Sequence, residues 1–357
     1  MPKETTKKSR LEVLDHLRGF FIVVIIIDHL SRFPSLWGLF TGKALLWVTA
    51  AEGFVAISGL LVGYVRGYKN RELPLKDVSK KLLSRAFLLY VWSLIGSIVY
   101  TAIIWYVPLQ GGSPGLPVPK GDWNELIFQL VTMQYTYVWV HFLTLYAIFL
   151  AAAPIAIWLL RQGKAWIVGL LSLVVLTFGW LLDSEAMQWQ FLFFIPSIVG
   201  YYLSSILTWW ANLSTKVQRR IAGSTVALTL ATITVSVIFT FYSSSFSLMA
   251  QSINTGLFDK DTVSLWRAGL AFLWFTGFVF IFKFFHAFIA KRLGWLLIPI
   301  GTSSLTAYIL HGLALCIISF FTIASENIVI NTLLGVVAVM IVWSLLKIPF
   351  VRKVIPS

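Results

Sequence analysis

The chain is poor in charge and almost without cysteine: 12% of its 357 residues are charged, and Cys316 is the one thiol. A single cysteine excludes an intramolecular disulfide framework, and its apolar neighbours mark it as a buried, inert side chain. The 5 histidines are dispersed and form no His-x-x-x-His pair, so spacing offers no metal centre and none is expected. Neither a GxxxxGK[ST] loop nor a GxGxxG turn is present, which removes the usual phosphate-cradling signatures. Also missing are a polar stretch long enough for a soluble domain, a low-complexity tract and a clear internal repeat. One domain, 1–357, is therefore expected.

What fills the chain is apolar. It is 58% hydrophobic with a mean hydropathy of +0.84, more apolar surface than a soluble fold of this length needs and what a bilayer demands. The net charge of +14 is spread between apolar segments and forms no single stripe. That pattern argues against nucleic acid and for membrane lipids as the acidic partner. The opening MPKETTKKSR followed by an apolar run imitates a signal peptide. The run carries Asp28 and His29 and lacks a small-x-small cleavage site, so it is read as an uncleaved first span after a basic cytoplasmic segment, 1–17.

Apolar runs near twenty residues long predict about ten spans. They lie at 18–33, 44–66, 84–107, 137–160, 164–183, 189–211, 221–243, 265–285, 302–323 and 328–347, with a shorter re-entrant or interfacial stretch at 126–134. Lysine and arginine gather on one set of loops, including 66–85, Arg161 with Lys164, and Arg219 with Arg220. Most acidic loop residues, among them Asp122, Asp183, Glu185 and Asp259, fall on the other set. The bias predicts an all-α polytopic protein of the plasma (inner) membrane with both termini cytoplasmic. Two outer loops are long, 108–124 and 243–264, and are read equally as binding elements or connectors. The basic 66–85 loop is read as a lipid-facing topogenic signal. The 16 tryptophans suit an interfacial belt.

Against this background the intramembrane polar groups stand out, because ionisable side chains at that depth are costly. Arg18 and His29 lie eleven residues apart in LDHLRGFFIVVIIIDHL. Eleven helical steps return to nearly the same face and rise about 16 Å. A permanent cation near the surface and an imidazole near mid-membrane would suit a long ligand with an anionic head and a reactive tail. Asp28 points about 100° away from its neighbour His29. Glu52, in TAAEGFVAISGLLVGY, reaches similar depth from the other side; there it must hold a cation, orient an imidazole such as His29, or be protonated. Pairing with His29 would give a general base and its orienting acid. Ser304, Tyr308 and His311 form a polar stripe at i, i+4 and i+7, either lining a ligand pocket or satisfying one another. His141 is a candidate for a structural or acceptor-binding role, and His286, among Lys283 and Lys291, is expected to be solvated.

The segment RLEVLDHLRGFFIVVIIIDHL resembles the first helix of the acyltransferase-3 superfamily, whose members carry arginine and histidine at the spacing of Arg18 and His29. The likeness is nearer to the OpgC branch, named for osmoregulated glucan succinylation. It extends to AEGFVAISGLLVGY, to HFLTLYAIFLAAAP at 141–154, to WQFLFFIPSIVGYYL at 189–203, and to Gly301, Ser304, Leu305, Tyr308 and His311. The chain departs from the branch at 141–144, where related sequences carry Asp-x-Leu-Pro and this one reads HFLT. The resemblance implies an acyl-CoA donor, a membrane-embedded active site and an extracytoplasmic glycan acceptor. His29, Asp28 and Glu52 would be catalytic, while Arg18, Ser304, Tyr308 and His311 would face the donor. The competing reading is a transporter or flippase of a glycan or lipid precursor that relays protons through the same groups. A non-catalytic scaffold would not need Asp28, Glu52 and His29 together.

Overall fold

A computed structural model of the chain describes residues 3–42, 45–107, 116–241, 253–322 and 325–355. Among them the regular structure is helical throughout. Residues 108–115 of the first long loop and 243–252 of the second lie outside the described residues.

We number the helices in chain order. The first two are α1 (Lys3–Leu30) and α2 (Ala50–Leu61), the latter running directly into a π-helix (Val62–Lys69). Then come α3 (Leu75–Tyr106), α4 (Trp123–Val131), α5 (His141–Arg161), α6 (Ala165–Leu181) and the short α7 (Glu185–Trp189). They are followed by α8 (Phe191–Tyr201), α9 (Leu203–Asn212), α10 (Thr215–Phe241), α11 (Leu265–Phe284) and α12 (His286–Thr302). The last three are α13 (Ser304–Phe321), α14 (Ile328–Leu345) and α15 (Pro349–Val354).

Among the described residues, each predicted span overlaps a helix or a helix pair. By length and composition, 6 of the described helices can cross a membrane: α3, α5, α10, α11, α13 and α14. The pair α7–α8 with α9, bent by 59°, makes a seventh if it counts as one broken span. The protein is thus a multi-pass membrane protein. The other predicted spans fall short for identifiable reasons. α1 carries Asp15, Arg18 and Asp28, α2 is 12 residues long before its helix widens, and α6 has 17 residues. The 126–134 stretch is α4, a 9-residue helix that buries Leu126 and Leu130 and exposes Ile127, Phe128 and Val131. Residues 286–301, expected to link two spans, are helical as part of α12, which packs on α1.

α1 sits inside the assembly, with Leu17, Ile22 and Ile26 fully buried. Asp15, Arg18, Asp28 and His29 are therefore held among other helices, as isolated charges in an apolar helix must be. Two seams fix the surrounding elements. A Cβ on Gly59 or Gly63 would come within 2.0 and 1.9 Å of the Phe193 and Ser197 carbonyl oxygens of α8. A Cβ on Gly19 would lie 2.1 Å from the Leu297 carbonyl oxygen, and one on Gly301 lies 2.0 Å from that of Asp15. Only hydrogen fits at these crossings, which is how small residues let helix backbones approach in an apolar medium.

Candidate active site

The two polar motifs of the sequence, one on α1 and one on α13, meet face to face. Arg18 donates from a terminal nitrogen to Ser304 Oγ at 2.5 Å. Further along both helices, His29 Nδ1 lies 2.7 Å from His311 Nε2. The α13 interval of seven residues rises about 10 Å against about 16 Å on α1; helix crossing and the reach of the arginine take up the difference. Tyr308 and His311 are buried at 4% and 0% exposure, and Tyr100 on α3 ties their helix down by donating to the Ile309 carbonyl at 2.6 Å.

This contact assigns the neutral tautomers. His311 Nδ1 is bonded to the Tyr308 carbonyl oxygen. A carbonyl only accepts, so Nδ1 carries the hydrogen and Nε2 the lone pair. His29 Nδ1 must then donate to His311, which places the His29 lone pair on Nε2. The ring is oriented as a base by a second imidazole, a role the sequence reading gave to Glu52.

Glu52 is instead held elsewhere, and the expected Glu52–His29 pairing gives way to an ion pair. Its Oε1 accepts from Arg267 Nε at 2.7 Å and lies 2.5 Å from a second guanidinium nitrogen. Its Oε2 accepts from the Thr49 amide at 2.9 Å and from the Thr49 hydroxyl, closing a capping box on α2. Glu52 and Arg267 are 0% and 1% exposed. Arg267 also donates to the carbonyls of Asp259, Lys260 and Thr262 at 2.8–3.1 Å, so every face of this buried cation has a partner. Of the three fates open to Glu52, holding a cation is the one realised. Burial lowers the Lys260 pKa in the same neighbourhood, against the raising pull of Asp28.

Asp28, His29, Thr49, Phe54 and Tyr308 line a cavity of about 220 Å³ with Phe142, Leu145, His141, Glu185 and Trp189. His141 opens α5; its Nε2 donates to Glu185 Oε2 at 2.7 Å, and its Nδ1 accepts from the Thr136 hydroxyl at 2.5 Å. The departure from the related sequences at 141–144 thus puts an imidazole–carboxylate pair at the cavity wall.

A second, larger cavity of about 890 Å³ opens behind α5. Arg66, Lys80, Lys81 and Arg85 line it with Asp77 and Tyr146, and Arg85 is within electrostatic reach of Arg18. Its size is that of a small-molecule site, roughly 300–1,000 Å³. The basic 66–85 segment, read from sequence as a lipid-facing signal, therefore builds a concave surface. The two cavities share one helix. Phe142 and Leu145 face the first, Tyr146 and Leu150 the second, and the Phe142 and Tyr146 rings stack at 6.3 Å between them.

The profile of the OpgC protein family matches residues 10–350. The chain belongs to the OpgC protein family. No curated protein and no solved structure gives a match. OpgC membership suggests an acyl-transferring membrane enzyme of osmoregulated periplasmic glucan substitution. In this OpgC protein, Arg18 meets Ser304, His29 meets His311, and Asp28 and Tyr308 line the cavity beside His29, while Glu52 pairs with Arg267. Arg267 and the Glu185 partner of His141 were missed. The signal for Arg267 was available, since a carboxylate buried as deeply as Glu52 calls for a cation, but nothing local named the helix that supplies it.

Proposed function

We propose that this OpgC protein is an acyl-CoA-dependent O-acyltransferase that moves a succinyl or acetyl group to a hydroxyl of an extracytoplasmic glycan. We also place it within the acyltransferase-3 superfamily, in the plasma (inner) membrane with ten spans and both termini cytoplasmic. The observation that carries the proposal is the pair of cavities back to back on α5, one basic and roomy, the other holding the oriented His29.

In this reading the nucleotide phosphates of acyl-CoA lie among Arg66, Lys80, Lys81 and Arg85, as charge-assisted contacts favour. Arg18, held by Ser304, meets the donor on its way inward, and the pantetheine arm passes the Phe142–Tyr146 stack. The thioester carbonyl then lies beside His29. The acceptor hydroxyl enters from the His141–Glu185 side and attacks the carbonyl carbon while His29 Nε2 takes its proton. The C–S bond breaks, and the thiolate leaves as CoA after receiving that proton from His29. The imidazolium formed in between donates through Nδ1 to His311, so the same contact that sets the tautomer stabilises the charge. Membership of an acyl-transferring family favours this over the transporter reading.

The test is purified protein, acyl-CoA carrying a labelled acyl group, and a short β-glucan. Acyl label appearing on the glucan, with CoA released in equal amount, is expected. A folded protein that binds acyl-CoA yet neither transfers nor hydrolyses the acyl group would overturn the assignment.

A further inference from the structure

A second cluster of chemistry-bearing side chains lies at the beginning of α1. Glu12 and His16 are four residues apart and share a helix face. His286, the first residue of α12, is brought against them. The carboxylate oxygen and the two imidazole nitrogens all lie within 4.8 Å of one another, with Glu12 Oε2 3.9 Å from His286 Nε2. The two rings meet edge to face, with centroids 5.7 Å apart. His29 is some 13 residues further along α1 than His16, about 20 Å by helical rise, so this group is separate from the site above.

The arrangement has the hallmark of a ligand set. His16 is 1% exposed, and its Nδ1 lies 2.8 Å from the Glu12 carbonyl oxygen. The carbonyl accepts, so Nδ1 bears the hydrogen and Nε2 presents a lone pair. That Nε2 is buried without a hydrogen-bond partner, and so is His286 Nε2. Buried polar nitrogens are nearly always satisfied, and two orphans facing one carboxylate call for an explanation. A backbone carbonyl that fixes the tautomer and aims the other nitrogen is the usual support of a metal-bound histidine.

We propose that Glu12, His16 and His286 bind a divalent transition-metal ion, with zinc the best fit to two imidazoles and one carboxylate and with water as the fourth ligand. Ligands about 2.0–2.1 Å from a tetrahedral zinc stand roughly 3.3 Å apart. The three groups must therefore close by about 1 Å. Glu12 and His286, with side chains 44% and 27% exposed, have room to turn inward, while His16 stays fixed. The ion would clamp the start of α12 to α1 before Arg18, while the Gly19 and Gly301 crossing holds the far end of α12. It would brace the helix that carries Arg18 and His29 without entering the reaction.

The experiment is titration of the metal-free, full-length protein in detergent with cobalt(II) and zinc(II). Visible d–d bands of four-coordinate cobalt, saturating at one ion per chain and bleached by zinc, are expected. Zinc should also raise the thermal midpoint of the wild type by mass action. His286→Ala and Glu12→Gln, both at partly exposed positions, should each weaken binding at least tenfold and remove the zinc-dependent rise while the metal-free midpoint holds. Absence of saturable one-to-one binding, or equal binding by wild type and both variants, would overturn the proposal.

Discussion

In the proposed reaction, a proton taken up at His29 Nε2 would not leave that imidazole without a counterpart, because its Nδ1 lies 2.7 Å from His311 Nε2. Removing either ring has different consequences. His29→Ala should lower acyl transfer by about 10²–10⁴-fold, the usual contribution of a positioned general base, while acyl-CoA still binds. His311→Ala should cost less, since His29 keeps its basic nitrogen and loses only its orientation. Arg18→Ala should act on affinity, weakening acyl-CoA by roughly 1.5–3 kcal/mol, the worth of one charge-assisted contact. Acyl-CoA affinity and single-turnover transfer, measured for all three folded variants in one detergent, separate these roles; full transfer by His29→Ala would refute the assignment. At this scale much was legible. Arg18 and His29 share a face by spacing, and Ser304 and His311 form a stripe by spacing. That the two stripes face each other is a tertiary fact, 286 and 282 residues apart in sequence, and no local pattern encodes it.

At the scale of elements, α2 and α11 are joined by the Glu52–Arg267 pair, and the 259–262 backbone hangs from the same guanidinium. Removing one partner of a buried pair strands the other charge and typically costs about 3–5 kcal/mol, whereas replacing both by apolar residues is often neutral. Glu52→Ala should therefore lower the thermal midpoint sharply, and Glu52→Leu combined with Arg267→Met should recover most of it. A double variant no more stable than Glu52→Ala would show that the carboxylate matters beyond this pairing. Helix positions were readable from apolar runs because a run of that length has few other fates. Two elements escaped. α12 carries Lys291 and Arg292 in its first half and Pro299 near its end, which break the apolar run that marks a span, and it packs on α1 at Gly19 and Gly301. The 66–85 segment reads as a solvated basic stretch, and its concavity arises where the end of the π-helix and the first turns of α3 meet α5.

For the whole molecule, the distribution of loop charges predicts which ends face the cytoplasm, and so from which side a donor enters. In a Cys316→Ser background, single cysteines near positions 115 and 255 should react with an impermeant thiol reagent added outside. Cysteines near 75 and 216 should react only after the membrane is opened. Labelling of position 75 from outside would reverse the topology and, with it, the direction of acyl transfer. The larger cavity would then face away from the cytoplasmic CoA pool. Depth and sidedness come from composition and charge, which a sequence displays in full. The back-to-back cavities depend on how α5 is rotated among its neighbours, and with apolar residues around most of its circumference the sequence gives no preferred face to read.

The Glu52–Arg267 pair also bears on how the protein is made. The two residues are 215 apart, and at about 5–20 residues per second a ribosome needs roughly 10–40 s to travel from one to the other. During that interval α2 has left the ribosome, and Arg267, the guanidinium that holds its acid in the folded protein, has not yet been made. A bare carboxylate in hydrocarbon is far too costly to wait there ionised. The nascent Glu52 must therefore either enter protonated or linger at the insertion machinery until α11 arrives. Assembly of this protein is thus expected to pause, with its second helix unsettled, until three-quarters of the chain has been translated.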